Sequence, residues 1–161
     1  MLLWPQVVRL VRSGYDLLKP YEVNIIKPLP GLVGLKSEKN LYKSLDGIRS
    51  KGKLFIKDKK TKKVCWSEEG EILFKSDGLS GIVAMQASSF INRTSKELNT
   101  YSVSFDMLSN MSAEELVEYI DNKKMLYPNY SMEFLLTGLV NKMLAFKILK
   151  IIFLNKDSQS I

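Results

Sequence analysis

Gly70-Glu71-Ile72-Leu73-Phe74-Lys75-Ser76-Asp77-Gly78-Leu79-Ser80-Gly81-Ile82-Val83-Ala84-Met85-Gln86-Ala87-Ser88-Ser89-Phe90-Ile91-Asn92-Arg93 is the stretch on which the fold turns. Gly70 to Phe74 is rich in strand formers. Gly78-Leu79-Ser80-Gly81 reads as a glycine-bracketed loop. An apolar helix follows, with Ile82, Met85, Ser89 and Phe90 placed near one face. Glycines permit positive φ, and a helix N-terminus offers free N–H groups to an anion. The loop therefore has two readings. It is a contact for a phosphate or a substrate, or it is a tight strand-to-helix turn capped by Asp77 or Ser80. It is too short for a phosphate-binding P-loop, which ends in Lys-Ser/Thr. No Gly-x-Gly-x-x-Gly occurs in the chain, so independent dinucleotide binding has no support in the sequence.

Upstream of this stretch the chain reads as short strands. Lys53–Lys57 and Lys63–Trp66 are β-branched and aromatic, with a polar, charged connection between them, which predicts a hairpin. Glu68-Glu69 reads as an acidic turn before the Gly70–Phe74 strand. Leu32–Leu35 reads as another strand, behind the rigid turn Pro28–Gly31. Ser13 can cap a short helix through Lys19, stopped by Pro20. Asn24–Ile26 is a short extended run.

Downstream, helix dominates. Tyr101–Phe105 alternates and predicts one more strand. Ser112-Ala113-Glu114-Glu115 is a capping box opening a helix to about Lys124, with Leu116, Val117 and Ile120 as its apolar stripe. Ser131 starts a further helix, whose apolar residues recur from Leu135 to Ile148, with Gly138 as its break. The fold class predicted is α+β: a small antiparallel, barrel-like part followed by a helical part. The organisation expected is 1–12 as an out-of-frame or disordered N-terminus, 13–76 strand-rich, 77–154 mainly helical, and 155–161 a frayed tail.

Composition narrows the chemistry. The chain has 161 residues, enough for one domain with a real core, folding to bury roughly 70% of its extended surface. It has one cysteine and no histidine. That excludes an internal disulfide, a Cys/His zinc site and Ser-His-Asp or Cys-His nucleophiles. It also removes the usual proton shuttle near neutral pH. No catalytic residue and no metal ligand is assigned. Cys65, between Val64 and Trp66, reads as a buried small hydrophobe. Phe55 and Trp66 read as core or cross-strand partners, and the methionines as packing residues.

The net charge is +7. Arg49, Lys51, Lys53, Lys57, Lys59, Lys60, Lys62 and Lys63 form the densest basic run. Lysines on a hairpin edge also block edge-to-edge pairing, and that reading is preferred here over nucleic-acid binding. No apolar run reaches the roughly 20 residues that cross a bilayer, and Met1–Pro5 lacks the form of a secretory signal. A cytoplasmic location is the default expectation. Phe146–Phe153 is basic and amphipathic, a pattern that also suits a membrane surface.

Taken in order, Ser13-Gly14-Tyr15-Asp16-Leu17, Leu32-Val33-Gly34-Leu35, Leu45-Asp46-Gly47-Ile48-Arg49, Gly70–Phe74, Gly78–Gly81 and Phe134–Lys142 resemble the aminoacetone-oxidase-like flavoproteins, a family of NAD(P)/FAD-dependent oxidoreductases. The resemblance spans about Ser13 to Ile152. It implies that the chain corresponds to an inserted cap domain, part β-barrel and part helical, that covers the flavin in intact members. The implied cofactor is FAD in the intact family and none in this chain alone. The implied cofactor-side residues are Gly78, Ser80 and Gly81. Lys75 stands where Thr is common and Ile82 where Pro is frequent. The implied partner is a separate FAD-binding domain. Whether the chain is itself an enzyme is left open. The alternatives are a basic module for nucleic acid or another polyanion, and one half of a split protein. Codons for Val7–Arg12, shifted by one base, can read Gly-Ser-Thr-Gly-Ser, as in the family's phosphate-side loop. Residues 1–12 are therefore expected to be out of frame in a broken gene. The coding DNA checks this: an upstream dinucleotide fold one base away supports it, and its absence refutes it.

Overall fold

The computed structural model describes residues 3–5, 17–24, 29, 31–37, 40–94 and 100–157. Among these residues six strands, β1 (Leu3–Pro5), β2 (Leu35–Ser37), β3 (Arg49–Asp58), β4 (Val64–Lys75), β5 (Gly78–Ser80) and β6 (Tyr101–Asp106), form one sheet. Its order is β1-β2-β5-β4-β3-β6, with every described pairing antiparallel. The sheet curls into a half-barrel. The helices are α1 (Ile82–Thr94), α2 (Ala113–Leu126), α3 (Met132–Leu135) and α4 (Lys142–Asp157), with 3₁₀ turns at Lys19–Tyr21 and Asn40–Leu45. The α+β class and its barrel-like part are as the sequence predicts. Strands β5 and β6 lie beyond residue 76, so the sheet draws on both composition regimes.

Strand β4 runs unbroken through Glu68-Glu69, where a turn was expected. The reason is its neighbour. Lys53 stands opposite Glu69, with Nζ 3.7 Å from the carboxylate, and Arg49 donates to Glu71 at 2.5 Å. Opposite charges facing across a ladder suit an exposed sheet face. Between β3 and β4 the register shifts at Ile56/Lys57: Ile56 faces Trp66, and Lys57 faces Val64. Cys65 is the extra residue of this bulge. It is exposed, not buried as expected, because the bulge turns it out of the ladder. The hairpin connection is held by Asp58, whose Oδ1 accepts from the N–H groups of Lys60 (2.9 Å) and Thr61 (2.7 Å). The Thr61 N–H bond is the main reason the Asp58 carboxyl lies below its usual range.

The alternation of β3 and β4 buries Leu54, Ile56, Ile72 and Phe74 on the inner face. Helix α1 covers that face with Val83, Ala84, Ala87, Ser88 and Ile91. This face is rotated from the expected one, and Ile82 is 70% exposed. Phe90 sits at its margin, stacked on Trp66 (centroids 6.4 Å apart) and tilted against Tyr101 (5.8 Å). Tyr42 and Leu45 of the 3₁₀ turn and Leu144 of α4 complete this core, with the Tyr42 ring 5.7 Å from that of Phe74.

Several local expectations shift. Strand β2 begins at Leu35, the end of the expected Leu32–Leu35 strand. Pro20 lies inside the 3₁₀ turn rather than stopping a helix, while Ser13–Asp16 and the expected extended Ile25–Ile26 lie outside the described residues. Within 1–12, Leu3–Pro5 pair with Leu35–Ser37. Ser112 and Glu115 form the capping box at the start of α2. The helix expected from Ser131 is split: Ser131 caps α3, Gly138 takes φ +97°, and α4 restarts at Lys142. Helix α4 continues to Asp157, into the expected tail.

Two measurements check this packing. Leu54→Ala should cost about 2–5 kcal/mol in urea unfolding, while exposed Val64→Ala should change stability by no more than about 0.5 kcal/mol. Burial pushes the Tyr42 phenol up to about 12. The unfolded chain ionises near pH ~10, so the stability held by the neutral phenol is complete below that and is lost as pH rises towards about 12. The alkaline limb of the unfolding curve should therefore flatten in Tyr42→Phe.

Candidate functional site

The Gly78–Gly81 stretch is a strand and a junction rather than a loop. Gly78 and Leu79 pair with Lys36 and Leu35 on one side. Gly78, Leu79 and Ser80 pair with Lys75, Phe74 and Leu73 on the other. Strand β5 is therefore a wedge between two backbones. A side chain at Gly78 would run into the Leu35 carbonyl oxygen. Gly81 takes φ +94°, and a Cβ there would stand 2.8 Å from the Glu71 oxygen and 3.2 Å from Ile72 Cα. Its carbonyl oxygen accepts from the Met85 N–H at 3.0 Å, in the first turn of α1. Both glycines are thus explained by close backbone approach. The space each leaves is filled by the protein's own chain.

Ser80 differs. Of the three residues singled out in the sequence, it alone lines a cleft of about 280 Å³. The cleft's other walls include Gly34, Lys36, Asp46, Lys75 and Asp77. Asp77 is tied to β2 twice: its carboxylate lies 3.7 Å from Lys36 Nζ, and its carbonyl oxygen accepts from the Ser37 N–H at 2.8 Å. The rim carries two cations and two carboxylates, a setting for a polar ligand of mixed charge. Among the described residues no cluster of His, Cys, Asp or Glu could hold a metal ion, and no helix is long and apolar enough to cross a membrane.

Ser88 escaped the sequence reading. It is fully buried on α1. Its Oγ donates to the Met85 carbonyl oxygen at 2.7 Å, with the Gly31 carbonyl oxygen also within reach at 3.3 Å. It accepts from the Val33 N–H at 3.1 Å. One hydroxyl thus ties the segment before β2 to the helix after β5, and fixes the cleft wall at Gly34. The signal in the sequence was a serine among small apolar residues, at a spacing that puts it on the same face as Ala84 and Ile91.

A half-barrel sheet followed by a helical part with a capped helix, two turns and a second long helix defines a class of domain. Comparison with family descriptions places the chain in it. Residues 29–161 match the HI0933-like protein barrel and H2TH domain, and the chain belongs to that family. The family is associated with FAD-dependent oxidoreductases. Comparison with curated proteins gives no match.

Three substitutions separate structure from function here. Ser88→Ala should cost about 1–3 kcal/mol, because the buried Val33 N–H loses its acceptor. Gly81→Ala should cost more than about 1 kcal/mol, through its positive φ and its contact with β4. Ser80→Ala should stay within about 0.5 kcal/mol of the parent. Thermal unfolding of the three variants reads this order directly.

Proposed function

We propose that this chain is the inserted cap domain of an FAD-dependent oxidoreductase of the aminoacetone-oxidase-like kind, working in the cytoplasm and without redox activity of its own. The observation that carries the proposal is the family match over residues 29–161, which takes in both the sheet and the helical part. The redox chemistry of such an enzyme belongs to the flavin, which a dinucleotide-binding fold must hold and orient. That fold comes from another part of the polypeptide or from a second chain. In this reading Gly78 and Gly81 set the β5–α1 junction against the sheet. Ser80 and the cleft beside it face the flavin side and help to shape the substrate pocket.

The apolar surface of the helical part supports a missing neighbour. Met125 and Leu126 are 76% and 74% exposed. Tyr127, Tyr130 and Phe134 lie beside them as one ring cluster, with Tyr130 and Phe134 centroids 4.2 Å apart. Phe146, Ile151 and Ile152 on α4 are also exposed. Contiguous exposed apolar groups mark interaction surfaces.

The test is visible absorbance of the purified chain incubated with FAD and then desalted. A colourless protein is expected, with flavin bands appearing only when a dinucleotide-binding domain of the family is added. Flavin retained by the chain alone would overturn the proposal.

A further inference from the structure

The outer face of the sheet carries a feature separate from the Ser80 cleft. On β3, Lys53, Phe55 and Lys57 alternate with the buried Leu54 and Ile56, so they share the face away from α1. Phe55 faces Ser67 of β4 and Ser104 of β6, both exposed. It takes no part in the core cluster. The ammonium groups of Lys53 and Lys57 stand 5.8 and 5.7 Å from its ring centroid. Beyond Lys57 the hairpin adds Lys59, Lys60, Lys62 and Lys63, against one carboxylate, Asp58, which is bound inside the turn by Lys60 and Thr61. Among the described residues no salt bridge engages Lys57 or these four lysines.

We propose that this face binds single-stranded nucleic acid, with one base stacked on Phe55 and the neighbouring phosphates held by Lys57 and the hairpin lysines. An aromatic ring beside a track of cations is the combination such binding needs, because every base has a stackable face and every linkage a charge. Lysine stems are flexible, so the Lys57 ammonium group can swing to a phosphate and leave the ring to a base, while Lys53 stays beside Glu69. The turn is already braced by Asp58, so little chain ordering is lost on binding. An anionic membrane fits less well. The hairpin tip, residues 58–63, holds no apolar side chain to enter the interface.

The experiment is fluorescence anisotropy of a labelled oligo(U) about 12 nucleotides long, within the site sizes known for small β-barrel binders, titrated with the full chain at rising salt. Binding should weaken with salt, with a log–log slope of about −0.7 for each phosphate engaged. Phe55→Ala should weaken it about 5- to 150-fold at unchanged slope, and Phe55→Tyr should restore it. Replacing Lys60, Lys62 and Lys63 together by alanine should reduce the slope by about 2. These lysines are exposed, so that variant tests the proposal even if Phe55→Ala fails to fold. Absence of binding at low salt overturns it. So does equal affinity of folded Phe55→Ala, preference for a duplex, or binding to phosphatidylserine vesicles but not to the oligonucleotide.

Discussion

The seating of β5 between β2 and β4 is the constraint on which the rest of this domain depends. Three residues join the N-terminal strands to the β3–β4–β6 ladder. Without that wedge the sheet would be two fragments. The close approach is possible because Gly78 has no side chain to meet the Leu35 carbonyl, and because Gly81 turns the chain out of the sheet with a positive φ. Helix α1 starts one residue later, so its phase is fixed by where Gly81 lies against β4. That phase decides which residues face inward. Val83, Ala87 and Ile91 meet the sheet, and Ser88 meets the segment ahead of β2. One short strand thus sets the sheet order, the helix direction and the wall of the Ser80 cleft together.

The two faces of the ladder do different work. Inside, Leu54, Ile56, Ile72 and Phe74 are shielded by α1 and stabilise the fold through apolar burial. Outside, the same strands carry Lys53, Phe55 and Lys57 opposite serines and glutamates. The exposed pairs Arg49–Glu71 and Lys53–Glu69 add little stability, since such pairs contribute at most about 1 kcal/mol. Their effect is on charge distribution. They neutralise the lower part of the face and leave the positive charge concentrated at the hairpin end.

Legibility in the sequence followed the range of the interactions involved. The capping box at Ser112–Glu115, the strand at Tyr101 and the hairpin around residue 60 rest on contacts between near neighbours, and those were readable. The family resemblance added the barrel-and-helical outline, which the match over residues 29–161 supports at the level of the family. The long course of β4 was not readable, because Glu68-Glu69 resembles a turn until Lys53 and Arg49 are seen across the ladder. The outward Cys65 depends on a bulge that a pattern of alternation cannot reveal. The three residues chosen at Gly78–Gly81 were found from glycine spacing, but spacing does not distinguish a loop that opens to a ligand from a strand pressed between two others. Only the positions of Leu35 and Glu71, more than forty residues before the junction in one case, separate the two.

That separation changes what the junction can do. A glycine loop that binds phosphate leaves its N–H groups and its empty side-chain positions to the ligand. Here the side-chain positions are taken by backbone from β2 and β4, and what is offered outward is Ser80 with a mixed-charge rim. Side chains of several segments, Lys36, Asp46, Lys75 and Asp77 among them, line the cleft at this end. Those side chains can vary without disturbing the wedge. The glycines cannot, because the continuity of the sheet runs through them. The same short element is thus rigid where it carries the fold and adaptable where it meets the cleft.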